Sequence, residues 1–430
     1  MRYLLKCASF VDSEYESNGR LRTADILVEG DTIRRIADHI EDAPAGETIN
    51  AERYLVTPGL VNAHGHLAMT LLRGLADGVP LQSWLEDYMF PRERLLTGDD
   101  VYVGTQLCLA EGILSGTTTF ADMYFFEDDV ARAIEEAGVK ANLSTGTASL
   151  GDEAGKLQRA EDFVVRCNNT ASGRIKASFG PHAPYTTTPE FIGAMFTRAQ
   201  QLGVVVQFHL HETRGEVAAY VEKYGCSPIA CYAERGYFDT PPHLVAAHCV
   251  HMAQRDIEIL ERAGASIALN VQSNLKLGSG VADYRSLLAS GINLAVGTDG
   301  AASNDNVDML EEVRVLGFMM KGSTMEPAEV SNNRLLSMAT LGGARALGFD
   351  DTGVIREGAK ADLVFWDTDD VSFCPHNDVV SHLLWSANSR AVDAVMVDGQ
   401  FVLRHHELLT IDIDRVRFEA VQRAHRLAAL

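Results

Sequence analysis

An eightfold alternation through the middle of the chain constrains the fold most. Short β-rich runs, most ending in polar or small residues, read as strands over Val56–His66, Thr117–Met123, Lys140–Thr147, Ile175–His182, Val204–His211, Leu244–Val250, Ser266–Asn270 and Asn293–Asp299. Most are separated by helical patterns such as Asp129–Ala137, Pro189–Leu202 and Gln254–Ala263. Strands alternating with helices imply parallel pairing through right-handed crossovers. Eight such units predict an α/β architecture, a (β/α)8 TIM-type barrel. An open doubly wound sheet would normally carry a Gly-rich nucleotide turn, and neither GxGxxG nor a Walker A sequence occurs.

The ends read differently. Leu4–Val11, Asp25–Glu29 and Thr32–Ala37 are short β runs, as are Ala361–Asp367 and Ala391–Val402. Neither end has enough strands for a sandwich of its own. The two are expected to combine into one small β-sandwich domain beside the barrel. The expected division is residues 1–56 and 353–430 for the β domain and 57–352 for the barrel, with a terminal helix over Ile413–Leu430.

Composition excludes several classes. The 59 Asp+Glu against 37 Lys+Arg give a formal net charge of −22. Nucleic-acid binding needs a basic surface to displace counterions, and anionic membranes also select for basic residues. No run of about 18 apolar residues exists to span a membrane, and the N-terminus lacks a cleavable apolar region. The seven cysteines are scattered without a CxxC, so no disulfide framework is expected and a cytoplasmic location fits. A homo-oligomer is compatible with these patterns, none of which specifies one.

The chemistry-bearing residues gather at predicted strand ends. His64 and His66 are two apart, so both imidazoles share one face of the first strand and project into the barrel mouth. His209 ends the fifth strand and Asp299 the eighth. Three imidazoles and a carboxylate suit one divalent transition metal such as zinc, with room for a water. His211 shares the face of His209, so alternation leaves both open as the ligand. Glu212 and His248, which end strands five and six, are candidates to move protons for a metal-activated water. His182 is fixed between Pro181 and Pro184 at the end of strand four. Glu93, in the long loop region after strand one, has the chemistry to accept two hydrogen bonds from a diol.

The stretches Thr57–His66, His209, His248 and Gly297–Ser303 resemble the amidohydrolase superfamily over nearly the whole chain. Trp84–Glu86, Phe90–Thr97, Ala121–Tyr124, Gly180–Tyr185, Ala247–His251 and Ser273–Gly278 are most similar to its 5′-methylthioadenosine/S-adenosylhomocysteine deaminases. The resemblance implies a zinc-dependent aminohydrolase acting on a small purine nucleoside. It implies His64, His66, His209 and Asp299 as ligands of one metal, which selects His209 over His211. It implies Glu212 as the acid–base carboxylate, His248 and Asp299 as the groups that handle the water, and Glu93, His182 and Trp84 beside the substrate. Some superfamily members hold two metals through a modified lysine on strand four. The only lysine there, Lys176, is near the strand's start, which favours one metal.

One departure bears on substrate. Where members that hold a homocysteine carboxylate place arginines, this chain has Thr145 and Lys156. Threonine offers no charged fork and lysine only a point charge. The expected order is therefore 5′-methylthioadenosine, 5′-deoxyadenosine or adenosine ahead of S-adenosylhomocysteine. Alternative readings are a triazine chlorohydrolase, a guanine or pterin deaminase, or a non-catalytic binding protein on the same fold.

Overall fold

A computed structural model describes residues 1–11, 21–41 and 46–429. The N-terminal segment supplies β1 (Arg2–Val11), β2 (Leu21–Glu29), β3 (Thr32–Ala37), β4 (Glu47–Asn50) and β5 (Tyr54–Pro58). The middle supplies β6 (Leu60–Asn62), β7 (Thr117–Tyr124), β8 (Lys140–Thr145), β9 (Ile175–Ser178), β10 (Val206–Leu210), β11 (Leu244–His248), β12 (Ser266–Leu269) and β13 (Asn293–Val296). The C-terminal segment supplies β14 (Leu363–Asp367), β15 (Val392–Val397), β16 (Gln400–Arg404) and β17 (Glu407–Leu408).

The two ends merge into one nine-stranded sheet in the order β17-β16-β15-β14-β5-β1-β2-β3, with β4 beside β1. They meet where β5 pairs antiparallel with β14, Leu363 opposite Pro58, and parallel with β1. The sheet curls so that its two halves share a core. Tyr3 of β1 meets Phe401 of β16 edge-on at 5.2 Å, and Tyr54 meets Phe365 at 5.7 Å. The β domain is thus sandwich-like in packing and one continuous sheet in hydrogen bonding.

The middle strands form two four-stranded parallel sheets, β6-β7-β8-β9 and β10-β11-β12-β13. Among the described residues no continuous ladder closes the barrel, but isolated contacts cross both seams. Phe179 bridges Val206 at one, and the Ala63 N–H donates to the Val296 carbonyl at 2.9 Å at the other. All residues of β7, β10 and β11 are buried, as parallel strands covered on both faces must be. Helices run between them as the periodicity predicts, over Glu127–Ala137, Pro189–Leu202 and Gln254–Arg262.

One expected strand is divided. Val56–His66 splits at Gly59, where β5 belongs to the β domain and β6 to the barrel. A Cβ on Gly59 would lie 2.0 Å from Thr118 Oγ1, so only glycine lets the chain change sheets there. The expected long loop after strand one is also largely helical. It holds a 3₁₀ turn over Leu67–Leu72 and a helical run over Leu81–Glu93 with a π-turn at Trp84–Met89.

Buried charge ties the parts together. Lys140, at the start of β8, reaches Asp362 and Asp398 of the β domain, the latter at 2.8 Å. The C-terminal helix, Ile413–Ala428, docks on the barrel helix Gly98–Leu114. Its Arg423 and Arg426 grip the fully buried Asp100 at 2.9 and 2.5 Å. Leu430, the end of the expected terminal helix, lies outside the described residues. All seven cysteines are free thiols. Among the described residues no helix is long and apolar enough to cross a membrane.

Candidate active site

The strands stop two to four residues short of several of the residues singled out above, which then sit on tight turns at the strand ends. His248 and Asp299 have φ of 72° and 61°, as does His211 at 53°. Non-glycine residues held in this region are costly and cluster where geometry serves a site. Gly297 permits the approach: a Cβ there would lie 2.7 Å from the His64 amide nitrogen. The side chain of Asn62 pins the same junction, donating to Thr298 Oγ1 at 2.7 Å and accepting from the Thr298 N–H at 3.0 Å.

His64, His66 and Asp299 converge, and so do His64, His209 and His248. Asp299 Oδ1 is 3.2 Å from His66 Nε2 and 3.5 Å from His64 Nε2. Its other oxygen accepts hydrogen bonds from Ser273 at 2.6 Å and Ser303 at 3.0 Å. The rings are oriented from behind. His66 Nδ1 donates to the Met123 carbonyl at 2.7 Å, and His209 Nδ1 to the His182 carbonyl at 2.6 Å. Each bond turns Nε2 toward the cluster; burial would lower the His66 imidazole, but the Asp299 carboxylate beside it raises it to about 9. His64 Nε2 is buried with no hydrogen-bond partner. Burial pushes the His209 imidazole well down, aided by its histidine neighbours, so it is neutral at pH 7. Burial alone would raise Asp299, but the imidazoles of His64 and His66 hold it well below the usual carboxylate range.

His211 lies elsewhere. Its Nδ1 donates to the His251 carbonyl at 3.0 Å and its backbone turns away after Leu210. Strict alternation, which made it equivalent to His209, fails because β10 ends at Leu210.

Glu212 is buried beside the cluster. Its Oε2 is 3.8 Å from His248 Nε2, and its Oε1 accepts from the Ser279 hydroxyl at 3.2 Å. Burial pushes its carboxyl up, against the pull of His248. His248 Nδ1 donates to Asn274 Oδ1 at 2.9 Å, which turns Nε2 toward Glu212.

A cavity of about 170 Å³ opens from this cluster. His66, His209, Glu212, His248 and Asp299 form its floor, and Trp84, Glu93 and His182 its walls, so the expected substrate-side residues share one space with the metal-ligand candidates. Burial pushes the Glu93 carboxyl up, and the Tyr124 hydroxyl donating at 2.9 Å pulls the other way. His182 Nδ1 is hydrogen-bonded with Thr186 Oγ1 at 2.8 Å, and burial lowers the imidazole to about 4, which keeps it neutral. Leu81, Leu85, Phe90, Phe125 and Tyr185 make the remaining wall largely apolar. Among the described residues no lysine or arginine lines it. Lys156 spends its ammonium on the Ala148 and Leu150 carbonyls at 2.8 and 2.5 Å. Lys176 sits over the Phe349 ring and is not among the lining residues.

Sequence reasoning gave no role to Ser273, Asn274, Ser279 or Tyr124. The first three follow β12 on the helix Val271–Lys276 and the turn after it. Their signal was position: a polar Ser-Asn pair at the end of a barrel strand faces the mouth of the fold.

Set beside known proteins, the geometry has a clear place. The amidohydrolase family matches residues 55–402, and the chain belongs to that family. It is 45% identical over 385 residues to a 5-methylthioadenosine/S-adenosylhomocysteine deaminase from Desulforudis audaxviator, covering 89% of each chain. It is 43% identical over 398 residues to one of the same name from Dictyoglomus thermophilum, covering 92% and 93%. Its structure is similar to that of an adenosine deaminase from Xanthomonas campestris solved with bound zinc, with a TM-score of 0.94, 32% identity, and 100% and 99% of the two chains covered.

Proposed function

We propose that this protein is a zinc-dependent aminohydrolase that deaminates the adenine base of a small nucleoside to the hypoxanthine analogue and ammonia. The single observation that carries the reading is that two groups, one of His64, His66 and Asp299 and one of His64, His209 and His248, meet at the floor of a cavity that also holds Glu212 and Glu93. The naming of the relatives and the zinc in the Xanthomonas structure support it.

The residues fit the metal. The donor set is three imidazoles and one carboxylate, His64 Nε2 is a buried ring nitrogen with no hydrogen-bond partner, and the Nδ1 atoms of His66 and His209 are occupied. These four side chains hold the ion; when bound, it lowers the pKa of water toward about 7 and so supplies hydroxide at neutral pH.

The chain's own groups do the rest. His248 and Asp299 orient the attacking water and take up its proton as its oxygen adds to C6 of the purine. Glu212 delivers a proton to N1, so negative charge does not accumulate on the ring. Raised by burial, its carboxyl is matched to carrying that proton. A proton returned to the exocyclic nitrogen lets ammonia leave. Glu93 accepts from the ribose hydroxyls, and Trp84 and His182 flank the nucleoside. The apolar wall without a cation favours a neutral 5′ group over the charged tail of S-adenosylhomocysteine.

The test is product release from zinc-quantified protein offered 5′-methylthioadenosine, guanine and a chlorotriazine. Ammonia from the nucleoside alone supports the reading. Chloride release, or ammonia from guanine alone, contradicts it.

A further inference from the structure

One short segment touches all three of the residues assigned above to proton transfer. Ser273 donates to Asp299 Oδ2 at 2.6 Å, Asn274 accepts from His248 Nδ1 at 2.9 Å, and Ser279 donates to Glu212 Oε1 at 3.2 Å. The first two lie on the helix Val271–Lys276, so its regular geometry fixes them together. Ser279 lies beyond the helix and is held separately. Its N–H donates to the Asn274 carbonyl at 2.8 Å, and its carbonyl accepts from His251 Nε2 at 2.7 Å. His251 is anchored in turn, its N–H donating to the His211 carbonyl at 3.0 Å and its carbonyl accepting from His211 Nδ1 at 3.0 Å.

Glycines flank the serine at φ of 66° and 126° for Gly278 and Gly280. A Cβ on Gly280 would lie 3.2 Å from His251 Cε1, tighter than the ring accommodates without moving. A turn this constrained does more than cap a helix: it aims one buried hydroxyl at one carboxylate oxygen.

We infer that Ser279 is a positioning residue that assigns the transferable proton of Glu212 to Oε2. The inference rests on the deaminase reading. A hydroxyl donated to Oε1 makes that oxygen an acceptor and disfavours a proton there. The proton therefore resides on Oε2, the oxygen that faces His248. Without the serine hydroxyl the carboxyl is free to rotate, and the proton sits on either oxygen. His251 acts one step behind, holding the Ser279 backbone so that the hydroxyl keeps its aim.

The test is a double-mutant cycle on zinc-quantified protein with 5′-methylthioadenosine. Activity in the unmodified protein establishes the underlying reading first; no ammonia there overturns the deaminase assignment rather than the role of Ser279. Given that activity, Ser279→Ala is expected to lower kcat by up to about tenfold, the upper end for one neutral hydrogen bond, with KM within about twofold and zinc content and Tm unchanged. Ser279→Thr, which keeps the hydroxyl, is expected to recover most of the loss. In a Glu212→Gln background, Ser279→Ala is expected to cost no more than about twofold, since the proton it positions is gone. A kcat unchanged in Ser279→Ala overturns the inference. So does a full tenfold loss that persists in the Glu212→Gln background, which would mark a structural effect independent of that carboxyl.

Discussion

His66 and His209 bring their Nε2 atoms within 3.3 Å of each other, and each has its Nδ1 committed to a backbone carbonyl. Those bonds turn both Nε2 atoms inward, so two ring nitrogens crowd one point in a buried site. A cation relieves this, and the native state should gain stability from zinc. At free zinc a thousandfold above its dissociation constant the gain is about 4 kcal/mol. Thermal unfolding of chelator-treated protein is expected to show a Tm that rises with added zinc, and His209→Ala is expected to lose both the bound metal and the shift. A Tm indifferent to zinc would speak against a metal site here.

Glu212 is outside the converging donor groups, so its charge is not needed to hold the ion. Glu212→Gln should retain zinc while losing turnover by roughly 10²–10⁴-fold, the range for a general acid–base group. Metal analysis and kcat on the same sample check both halves. Near-normal turnover would remove Glu212 from the scheme.

Glu93 shares the cavity with the candidate ligands, and one of its oxygens already accepts from Tyr124. Glu93→Gln is expected to lower kcat/KM for a ribonucleoside by about 10–100-fold, as loss of charged hydrogen bonds to the diol would. On the 2′,3′-dideoxy analogue the same substitution is expected to cost less than about threefold. Equal losses on both would dissociate Glu93 from the ribose.

Asp100 links stability to pH. Burial would raise its carboxyl, but hydrogen bonds from Arg426, Thr97 and Arg423 bring it down to about 2. A folded-state pKa below the unfolded 3.8 stabilises the native state above about pH 4, and that stability is lost as pH falls toward 2. The shift corresponds to about 2 kcal/mol. Asp100→Asn is expected to lose about that much in urea unfolding at pH 7 and to lose less as the pH falls toward 2. It is also expected to speed amide exchange in the helix Ile413–Ala428, which Asp100 anchors. A pH-independent difference between the two proteins would refute the ion-pair account.

Much of this was legible in the chain. The alternation of buried β runs with amphipathic helices set the barrel, since each repeat must bury two faces of a strand. The strand-end position of His64, His66, His209 and Asp299 pointed to the candidate metal site, because the fold gathers those ends in one mouth. What escaped local pattern was tertiary. Tyr54–Leu60 is one apolar run, and only the packing of Thr118 against Gly59 shows that it serves two sheets. His211 is equivalent to His209 by alternation, and only the early end of β10 separates them. Lys156 was read by position as a weak cationic substitute, whereas its ammonium is occupied by loop carbonyls. The role of Ser279 depends on Glu212, 67 residues away, and no spacing rule reaches that far.

The most direct test of the central claim is ammonia release by zinc-quantified enzyme across adenosine, 5′-deoxyadenosine, 5′-methylthioadenosine and S-adenosylhomocysteine. The account predicts inosine-type products from the first three, with kcat/KM for 5′-methylthioadenosine at least about tenfold above that for S-adenosylhomocysteine, the worth of one missing charged contact. No ammonia from any of the four would contradict the deaminase reading itself. A kcat/KM markedly higher for S-adenosylhomocysteine would contradict the substrate preference drawn from a cavity that no lysine or arginine among the described residues lines.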